Sequence, residues 1–362
     1  MKLSEFNYTL PPELIAQTPI EPRDHSRLLN LNLSTLTLTE TKFYDILNKL
    51  WDNDVIVLNK TRVINARLLG TINSPLPLGE GLGVRAKCEI FLHKQISDNT
   101  WDCLVYPWKK LKPWKKISFT LPPLGGKYPK GDGGMTAKII DISDSWRIVQ
   151  FDKWWIEFLE IVEKLWSIPL PPYIKEKLDN NERYQTVFNE IQWSVAAPTA
   201  WLHFTNEIME KLTQKWVKIE KVLLHVWLGT FKWVETENIL EHKMHHEYIE
   251  LEKDVAEKLN EYKKQGKRII AVWTTSIRVL ESFSNENWLL EHGSKDTNIF
   301  IYPWYKWKFV DWIITNFHLP KSTLLMLVSS FAWTEYIKKA YKYAVDNKFR
   351  FFSFWDAMFI EK

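Results

Sequence analysis

Strand and helix patterns alternate from about residue 200 to the end of the chain, and this alternation constrains the fold most. Apolar residues with helical spacing predict amphipathic helices, and short β-branched runs predict buried strands. The predicted elements are the helix NEIMEKLTQK capped by Thr205, the strand VKIEKVLLHV, the helix DVAEKLNEYKKQ closed by Gly266, the strand RIIAV, the helix TTSIRVLESF, the strands IFIY and FVDWIIT, the helix STLLMLVSSFA with Ser322 as N-cap, the helix IKKAYKYAVDNK and the strand RFFSF. Such alternation is typical of a layered α/β domain.

Residues 71–150 have a different pattern, in which short alternating segments are separated by turns rich in proline and glycine. The predicted strands are CEIFLHKQI, WDCLVYP, KKISFTL, AKIIDI and WRIVQF. Short strands with frequent turns predict a small antiparallel β-barrel. The expected fold is therefore α/β, a layered domain of residues 1–65 and 155–362 with a β-barrel-like domain, residues 66–154, inserted in it. Before the insertion, FYDILNKL predicts a helix and DVIVLNKTRVI a strand; after it, IEFLEIVEKL predicts a helix.

Composition narrows the class of protein. Apolar residues make up 45% of the chain and charged residues 25%, which excludes a disordered or collagen-like chain. The net charge of +4 permits a nucleic-acid partner without requiring one. Cys88 and Cys103 form no CxxC motif, the N-terminus lacks the apolar core of a signal peptide, and the longest apolar run, residues 324–333, is too short to span a membrane. We expect a cytoplasmic, monomeric protein that does not enter a membrane.

Glycine is scarce and tryptophan abundant. The chain has 20 tryptophans and 12 glycines, whereas average usage predicts roughly 25 glycines in a chain of this length. Eight of the glycines fall in the two stretches 75–83 and 121–134, so four serve the rest of the chain. A compact protein needs more glycines than that at turns and helix ends.

Several polar residues stand where core packing does not explain them. Two Ser/Thr-rich turns, at 274–276 and 320–323, lead into predicted helices, so each is either an anion site or an ordinary N-cap. His203, His225 and His318 each follow or end an apolar segment, and each is either a catalytic base or a hydrogen-bonded structural histidine. No P-loop, GxSxG or dinucleotide fingerprint is present in the sequence.

Two further clusters have open interpretations. KKLKPWKK carries Lys109, Lys110, Lys112, Lys115 and Lys116, which form either a solvated hairpin or a phosphate-binding surface for RNA. The cluster HKMHHEY contains His242, His245 and His246 but lacks the HExxH or CxxC spacing of a metal site, so we expect no metal there.

A dozen segments together resemble one family, the S-adenosylmethionine:tRNA ribosyltransferase-isomerases of queuosine biosynthesis. The matching segments are YTLPPELIAQ, SRLL, LNKTRVINARLLG, IPLPPYI, RYQTVF, AAPTAWLHF, LHVWLGTF, HKMHHEY, AVWTTSIRVLES, IFIYPWY, TNFHLPKSTLLMLVS and RFFSFWDAMFI. They occur in the family's order and cover almost the whole chain. The two glycine-rich stretches match least and look like additions.

The resemblance implies the reaction and its participants. The family transfers the ribosyl portion of S-adenosylmethionine (AdoMet), its substrate, to 7-aminomethyl-7-deazaguanine in tRNA with a GUN-type anticodon, releasing adenine and methionine and leaving epoxyqueuosine. No further cofactor is expected. Removal of a proton beside the sulfonium needs a base, and the methionine carboxylate needs an anion site. The candidate residues are His203 or His225 as base, Thr274, Thr275, Ser276, Arg278, Asn316, His318 and Lys321 for AdoMet, and Arg62, Arg67 and Lys109–Lys116 for tRNA.

The resemblance also bears on the missing glycines. The family usually has glycine where this chain has Trp108, Trp114, Trp166, Trp193, Trp201, Trp216, Trp227, Trp273, Trp304, Trp312, Trp333 and Trp355. Our hypothesis is that the gene uses UGA as a glycine codon and was translated with a table that reads UGA as tryptophan. Trp101 and Trp307 stand where an aromatic residue is natural, and Trp51, Trp154, Trp155 and Trp233 are undecided.

Two other functions remain open at this point. If the tryptophans are real, a non-catalytic RNA-binding protein on the same fold is favoured, because bulky indoles would fill the pocket. An AdoMet-dependent methyltransferase is disfavoured because the glycine-rich loop after a first strand is missing.

Overall fold

The computed structural model describes residues 1–18, 20–63, 67–73, 85–119, 135–143, 146–154, 157–158, 166–167, 191–194, 203–225, 234, 236–244, 246–351 and 356–362. The strands are β1 (Arg27–Asn32), β2 (Thr37–Lys42), β3 (Asp54–Asn59), β4 (Thr61–Val63), β5 (Arg67–Asn73), β6 (Arg85–Ser97), β7 (Thr100–Tyr106), β8 (Lys116–Phe119), β9 (Met135–Ser143), β10 (Trp146–Phe151), β11 (Trp166–Ser167), β12 (Ile191–Ser194), β13 (Lys218–Leu224), β14 (Glu247–Leu251), β15 (Arg268–Val272), β16 (Gly293–Thr297), β17 (Trp312–Asn316) and β18 (Ala357–Glu361). The helices are α1 (Asn206–Gln214), α2 (Lys253–Lys264), α3 (Trp273–Phe283), α4 (Thr323–Ala332) and α5 (Thr334–Asp346), and 3-10 turns cover Leu3–Phe6, Pro12–Leu14, Arg23–His25, Phe43–Asn48 and Ile239–Glu241.

The chain divides into two compact units. The first comprises Met1–Arg62 and Pro171–Lys362, and the second comprises Val63–Leu170. This is the α/β fold with a small antiparallel barrel that the sequence predicts. The domain boundaries at 65/66 and 154/155, and the assignment of both substrates to the larger domain, stay predictions. None of the described helices is long and apolar enough to cross a membrane.

The first unit contains a nine-stranded mixed sheet with the order β16-β14-β13-β3-β15-β17-β18-β1-β2. The four central strands β13, β3, β15 and β17 run parallel, and β18 returns antiparallel to β17. All six residues of β3 are buried, as expected of a strand covered on both faces. A separate two-stranded sheet pairs β4 with β12.

The second unit contains the barrel. Its strands pair antiparallel in the order β5-β6-β7-β10-β9-β8, and a further pairing of β8 with β5, at Thr71 and Ser118, closes it. Alternate residues point inward, and Trp101 and Phe158 stack in the interior with ring centroids 5.8 Å apart. A Cβ built on Gly70 would lie 2.7 Å from Ile117 Cγ2, so glycine is required where β5 approaches β8.

Most predicted elements of the larger unit are present with shifted ends, and three differ. FYDILNKL forms the short 3-10 turn Phe43–Asn48, and the predicted strand 54–64 is divided at Lys60 into β3 and β4. The predicted strand IFIY is wrong, since residues 299–302 are irregular although Ile301 is buried. The helix IEFLEIVEKL and the segment RFFSF fall largely outside the described residues.

In the described part of the chain, six tryptophans have a left-handed backbone. The φ values are 70° at Trp114, 65° at Trp216, 72° at Trp273, 60° at Trp288, 82° at Trp304 and 58° at Trp333. Left-handed φ is a genuine outlier for a bulky residue and ordinary for glycine. Five of the six belong to the twelve positions where the resemblance implies glycine; Trp288 is not among those twelve.

Trp216 and Gly266 occupy equivalent positions at two helix ends. After α1, the Trp216 N–H donates to Thr213 O and the Val217 N–H to Leu212 O; after α2, the Gly266 N–H donates to Lys263 O and the Lys267 N–H to Tyr262 O. Both are the same C-terminal capping motif, with φ of 65° and 74° at the residue where glycine is preferred. The backbone at Trp216 is therefore that of a glycine position.

Candidate functional site

The candidate site lies at the carboxyl edge of the four parallel strands in the first unit. His225 follows β13, Thr61 follows β3 by two residues, Thr274 follows β15, and Asn316 ends β17. Because these strands run parallel, their carboxyl ends meet at one edge, where open α/β sheets bind ligands. Two strands of opposite direction begin at the same edge, which brings Ser26, just before β1, and Glu247, the first residue of β14, to it.

A buried chain of three side chains joins Ser26, His203 and Asn316. Ser26 Oγ lies 2.7 Å from His203 Nδ1, and Asn316 Nδ2 lies 3.2 Å from His203 Nε2. An amide NH₂ can only donate, so with the amide in this orientation Nε2 is the acceptor, and Nδ1 is the ring nitrogen that faces the Ser26 hydroxyl. All three residues are at most 4% exposed, and Asn316 Oδ1 has no hydrogen-bond partner among the described residues.

His225 is held beside β3 and β14. Its Nδ1 lies 3.0 Å from Thr61 Oγ1, its backbone N–H donates to Tyr248 O, and its ring stacks on that of Tyr248 at 5.7 Å. Asn59, next to Thr61, holds both strands together, because its amide donates to Leu224 O and its Oδ1 accepts from the Leu224 N–H. The imidazole is thereby fixed between the ends of two strands.

His318 is tied into the protein core. Its Nε2 lies 3.2 Å from Thr315 Oγ1, its backbone N–H donates to Tyr341 Oη, and its carbonyl accepts from Tyr8 Oη. Tyr8 and Tyr341 pack edge to face at 5.0 Å, and burial raises the pKa of both phenols. These contacts hold the turn after β17 and give His318 a structural setting.

The first turn of α3 is the part of the edge with the most unpartnered polar atoms. No side chain caps this helix, and Thr275 Oγ1 and Ser276 Oγ are buried without a hydrogen-bond partner among the described residues. Arg278 forms a short ion pair with Glu247, both nearly fully buried, while its Nε and Nη2 atoms also lack partners there. Free N–H groups, two hydroxyls and a guanidinium together suit a carboxylate.

The second predicted anion turn is different. Ser322 accepts from the Leu325 N–H and donates to Leu319 O, so α4 carries an ordinary side-chain cap. Lys321 is half-buried, has φ of 59°, and donates its backbone N–H to Phe6 O. The turn at 320–323 therefore supports the capping interpretation, and α3 is the remaining candidate for an anion site.

Burial sets the charge of the site. It lowers the pKa of His203 and His318 to about 3 and that of His225 to about 4, so all three imidazoles are neutral near pH 7. At His203 a hydrogen bond with the Arg23 backbone acts in the opposite direction. Burial also lowers the pKa of Arg278 to about 10, which leaves it charged.

The lysine-rich segment lies in the connection between β7 and β8 of the barrel. Lys109, Lys110, Lys112 and Lys116 are exposed, and Lys115 is half-buried. The Trp114 N–H donates to Ile139 O, which anchors the segment to β9. Arg62 and Arg67 belong to β4 and β5, but their side chains lie outside the described residues.

The histidine cluster HKMHHEY is described only in part. No group of three histidine, cysteine or acidic side chains in the described part of the chain could hold a metal ion. His242 is half-buried and packs against Phe300 at 5.6 Å, His246 is exposed, and His245 lies outside the described residues.

Sequence reasoning missed Ser26 and Thr61 as hydrogen-bond partners of His203 and His225, and treated Glu247 only as part of the histidine cluster. Ser26 and His203 are 177 residues apart, and Thr61 and His225 are 164 apart. Ser26 lies in SRLL and Thr61 in LNKTRV, so both stand in segments that carry the resemblance. Only the strand order shows which side chains they meet.

Comparison with known proteins matches nearly the whole chain to one family. A family model described as "Queuosine biosynthesis protein" matches residues 3–360. A protein of Acetivibrio thermocellus named S-adenosylmethionine:tRNA ribosyltransferase-isomerase is 47% identical over 362 residues, covering all of both chains. One of the same name from Thermoanaerobacter sp. is 47% identical over 361 residues, 99% of this chain and 100% of that protein. The solved structure of S-adenosylmethionine tRNA ribosyltransferase from Thermotoga maritima is 34% identical, has a TM-score of 0.53, and covers 99% of this chain and all of the other.

Proposed function

The chain belongs to the family of queuosine biosynthesis proteins, and we propose that it transfers the ribosyl portion of S-adenosylmethionine to 7-aminomethyl-7-deazaguanine in tRNA and isomerises it, with release of adenine and methionine. AdoMet and tRNA are its substrates, the tRNA carrying a GUN-type anticodon, and the enzyme acts as a cytoplasmic monomer. The observation that carries the proposal is the full-length match to relatives named for this reaction.

We assign the methionine carboxylate of AdoMet to the first turn of α3. The uncapped helix N-terminus attracts an anion, Thr275 and Ser276 supply two buried hydroxyls, and Arg278 supplies a positive charge. Glu247 offsets that charge before substrate binds, because the two side chains form a buried ion pair. Thr274 completes this turn, and Asn316, His318 and Lys321 form the neighbouring wall.

The base that removes a proton beside the sulfonium remains either His203 or His225. Both are neutral near pH 7, as a base must be, although a pKa of about 3 or 4 makes a weak base. The hydrogen bonds at both ring nitrogens of His203 favour a positioning role for it, so His225→Ala is the first variant to test. His225→Ala should abolish turnover while AdoMet still binds; normal turnover in this variant removes His225 from the mechanism.

The reaction is tested by adenine release from AdoMet with precursor tRNA present. We expect adenine and methionine in equal amounts and epoxyqueuosine in the tRNA. A protein that binds this tRNA and releases no adenine contradicts the proposal, and so does methyl transfer to the tRNA.

The exposed lysines of the β7–β8 connection are proposed to contact the tRNA backbone, with Arg62 and Arg67. Replacing Lys109, Lys110, Lys112 and Lys116 by alanine should weaken tRNA binding and make its salt dependence shallower, by about one unit of slope for each phosphate that is no longer neutralised. AdoMet binding should not change. A matched control replaces four other exposed lysines, Lys253 and Lys258 of α2 and Lys338 and Lys342 of α5. An equal loss of tRNA binding in this control would show a general charge effect instead.

The left-handed tryptophans are proposed to be glycines in the organism, decoded from UGA. The proposal rests on six backbones with positive φ, including Trp288, and on the equivalence of Trp216 with Gly266. Peptide mass spectrometry of the native protein should find glycine at all six positions. UGG codons in the gene, or tryptophan in the native peptides, contradict it.

A further inference from the structure

The Ser26–His203–Asn316 chain presents one unused edge of the Asn316 amide. Asn316 is the last residue of β17, is 0% exposed, and uses one Nδ2 hydrogen for His203 Nε2. Its Oδ1 has no hydrogen-bond partner among the described residues. A buried acceptor without a partner costs free energy, so a ligand donor is the expected partner.

The chemistry of the missing partner is restricted by its surroundings. The amide is neutral, and its hydrogen-bonded neighbour His203 is neutral near pH 7. An ammonium group buried against these two residues would lack a counter-charge, so a neutral donor is favoured. A carbonyl next to an amide N–H matches a donor and an acceptor side by side, as on the edge of adenine, where the exocyclic amine adjoins a ring nitrogen.

The position of Asn316 fits the same small ligand. β17 pairs with β15, with Ile314 beside Val272, and α3 begins directly after Val272. Neighbouring strands lie about 4.8 Å apart, so one nucleoside-sized molecule can contact both Asn316 and the first turn of α3. A base held in a tRNA chain is disfavoured at a fully buried residue.

We propose that Asn316 recognises the adenine of AdoMet, and that Ser26, through His203, is the positioning residue that fixes which way the Asn316 amide faces. The inference rests on the proposed function. Ser26 Oγ, 2.7 Å from Nδ1, holds the imidazole so that its Nε2 faces Asn316 Nδ2. Oδ1, on the other side of the amide, therefore faces the ligand. The arrangement admits a 6-amino purine and rejects a 6-oxo purine, whose acceptor would meet Oδ1.

The test compares AdoMet with its deaminated analogue, S-inosylmethionine, in the full chain with precursor tRNA. The parent should prefer AdoMet by at least about 100-fold in kcat/KM, because the analogue leaves buried polar groups unpaired. Asn316→Ala should lose this preference and raise KM more than it lowers kcat. Ser26→Ala removes the hydrogen bond that holds the imidazole, so the imidazole and the amide beside it can turn, and the preference should fall about tenfold.

Controls separate positioning from damage to the fold. Ser26→Thr keeps the hydroxyl and should restore the preference, and Ser284→Ala, a buried serine whose Oγ donates to Leu280 O, should leave it unchanged. If Ser26→Ala is too unstable to assay, Asn316→Asp, which removes the donor to His203, serves in its place and should also lose the preference.

The outcomes distinguish this inference from the function on which it rests. A parent that turns over AdoMet without distinguishing the two purines, or variants at Ser26 and Asn316 that keep the parent's ratio, overturn the inference and leave the reaction intact. A parent that releases no adenine from AdoMet overturns the proposed function and the inference with it.

Discussion

The two edges of the central sheet differ in how their polar groups are satisfied. At the amino edge, the Asp54 carboxylate accepts hydrogen bonds from Nε and Nη2 of Arg268. The Asp311 carboxylate accepts hydrogen bonds from Lys263 Nζ and the Ile269 N–H. At the carboxyl edge, buried atoms of Thr275, Ser276, Arg278 and Asn316 have no partner among the described residues. The same parallel strands support both edges, so the difference does not come from the fold type. The amino edge therefore stabilises the protein, and the unpartnered atoms of the carboxyl edge support the ligand site proposed there.

The largest expected effect is at the amino edge. Asp54 is fully buried and also accepts the Trp51 N–H, so Asp54→Ala removes three hydrogen bonds and an ion-pair partner. We expect the free energy of unfolding to fall by about 3 kcal/mol. Urea denaturation measures it. Activity per folded molecule should be unchanged, and a variant that is stable but inactive would contradict the division between the edges.

The carboxyl edge should be sensitive to acid. The folded-state pKa values of His203, His225 and His318 are depressed below the ordinary value, so the neutral imidazoles contribute stability that is complete above about pH 6.5. That stability is lost as pH falls through the window from about 6.5 towards 3–4. Each imidazole should add up to about 1.4 kcal/mol per pH unit to the loss. Urea denaturation at pH 7, 6 and 5 measures the slope.

A matched pair of variants tests the assignment to histidine. His318→Asn should reduce the dependence of stability on pH by the contribution of one imidazole. His292→Asn, at an exposed position, should leave this dependence unchanged. An unchanged slope in both variants would mean that groups other than the buried edge dominate the acid response.

The sequence predicts buried regular elements better than exposed ones. RIIAV and WRIVQF are apolar or alternating, and both form strands within a residue of the predicted ends. β2, with the sequence TLTETK, and β16, GSKDT, are largely exposed edge strands, so they carry no hydrophobic period to find. Their hydrogen bonds to β1 and β14 depend on the sheet order rather than on local preference.

The same limit applies to the site. His203, His225, Thr275 and Asn316 were candidates because they belong to motifs, yet their roles were not separable by sequence. The structure distinguishes these roles by the hydrogen-bond partners. His203 has a hydrogen-bond partner at both ring nitrogens, and α4 has a side-chain cap that α3 lacks. Partners more than 100 residues away cannot be inferred from spacing along the chain.

The equivalent positions Trp216 and Gly266, after α1 and α2, allow the backbone cost of a side chain at positive φ to be measured. Gly266→Ala should lower stability by about 1 kcal/mol, since no atom lies within 4 Å of the added Cβ and the cost is that of φ at 74°. Trp216→Gly should raise stability by about 1 kcal/mol, because the indole is 71% exposed and little burial is lost. Thermal or urea denaturation measures both. A destabilised Trp216→Gly variant would mean that the indole is needed where it stands.

The smallest expected change in stability belongs to α3, where two serines at opposite ends of one helix can be exchanged for alanine. Ser276 Oγ is buried without a partner among the described residues, so its removal should change the free energy of unfolding by less than about 0.5 kcal/mol and weaken AdoMet binding about tenfold. Ser284 Oγ donates to Leu280 O, so Ser284→Ala should cost about 1 kcal/mol of stability and leave AdoMet binding unchanged. Denaturation and calorimetric titration with AdoMet measure the two effects. If the two variants gave the same pattern, the unpartnered hydroxyl at the carboxyl edge would not mark a ligand site.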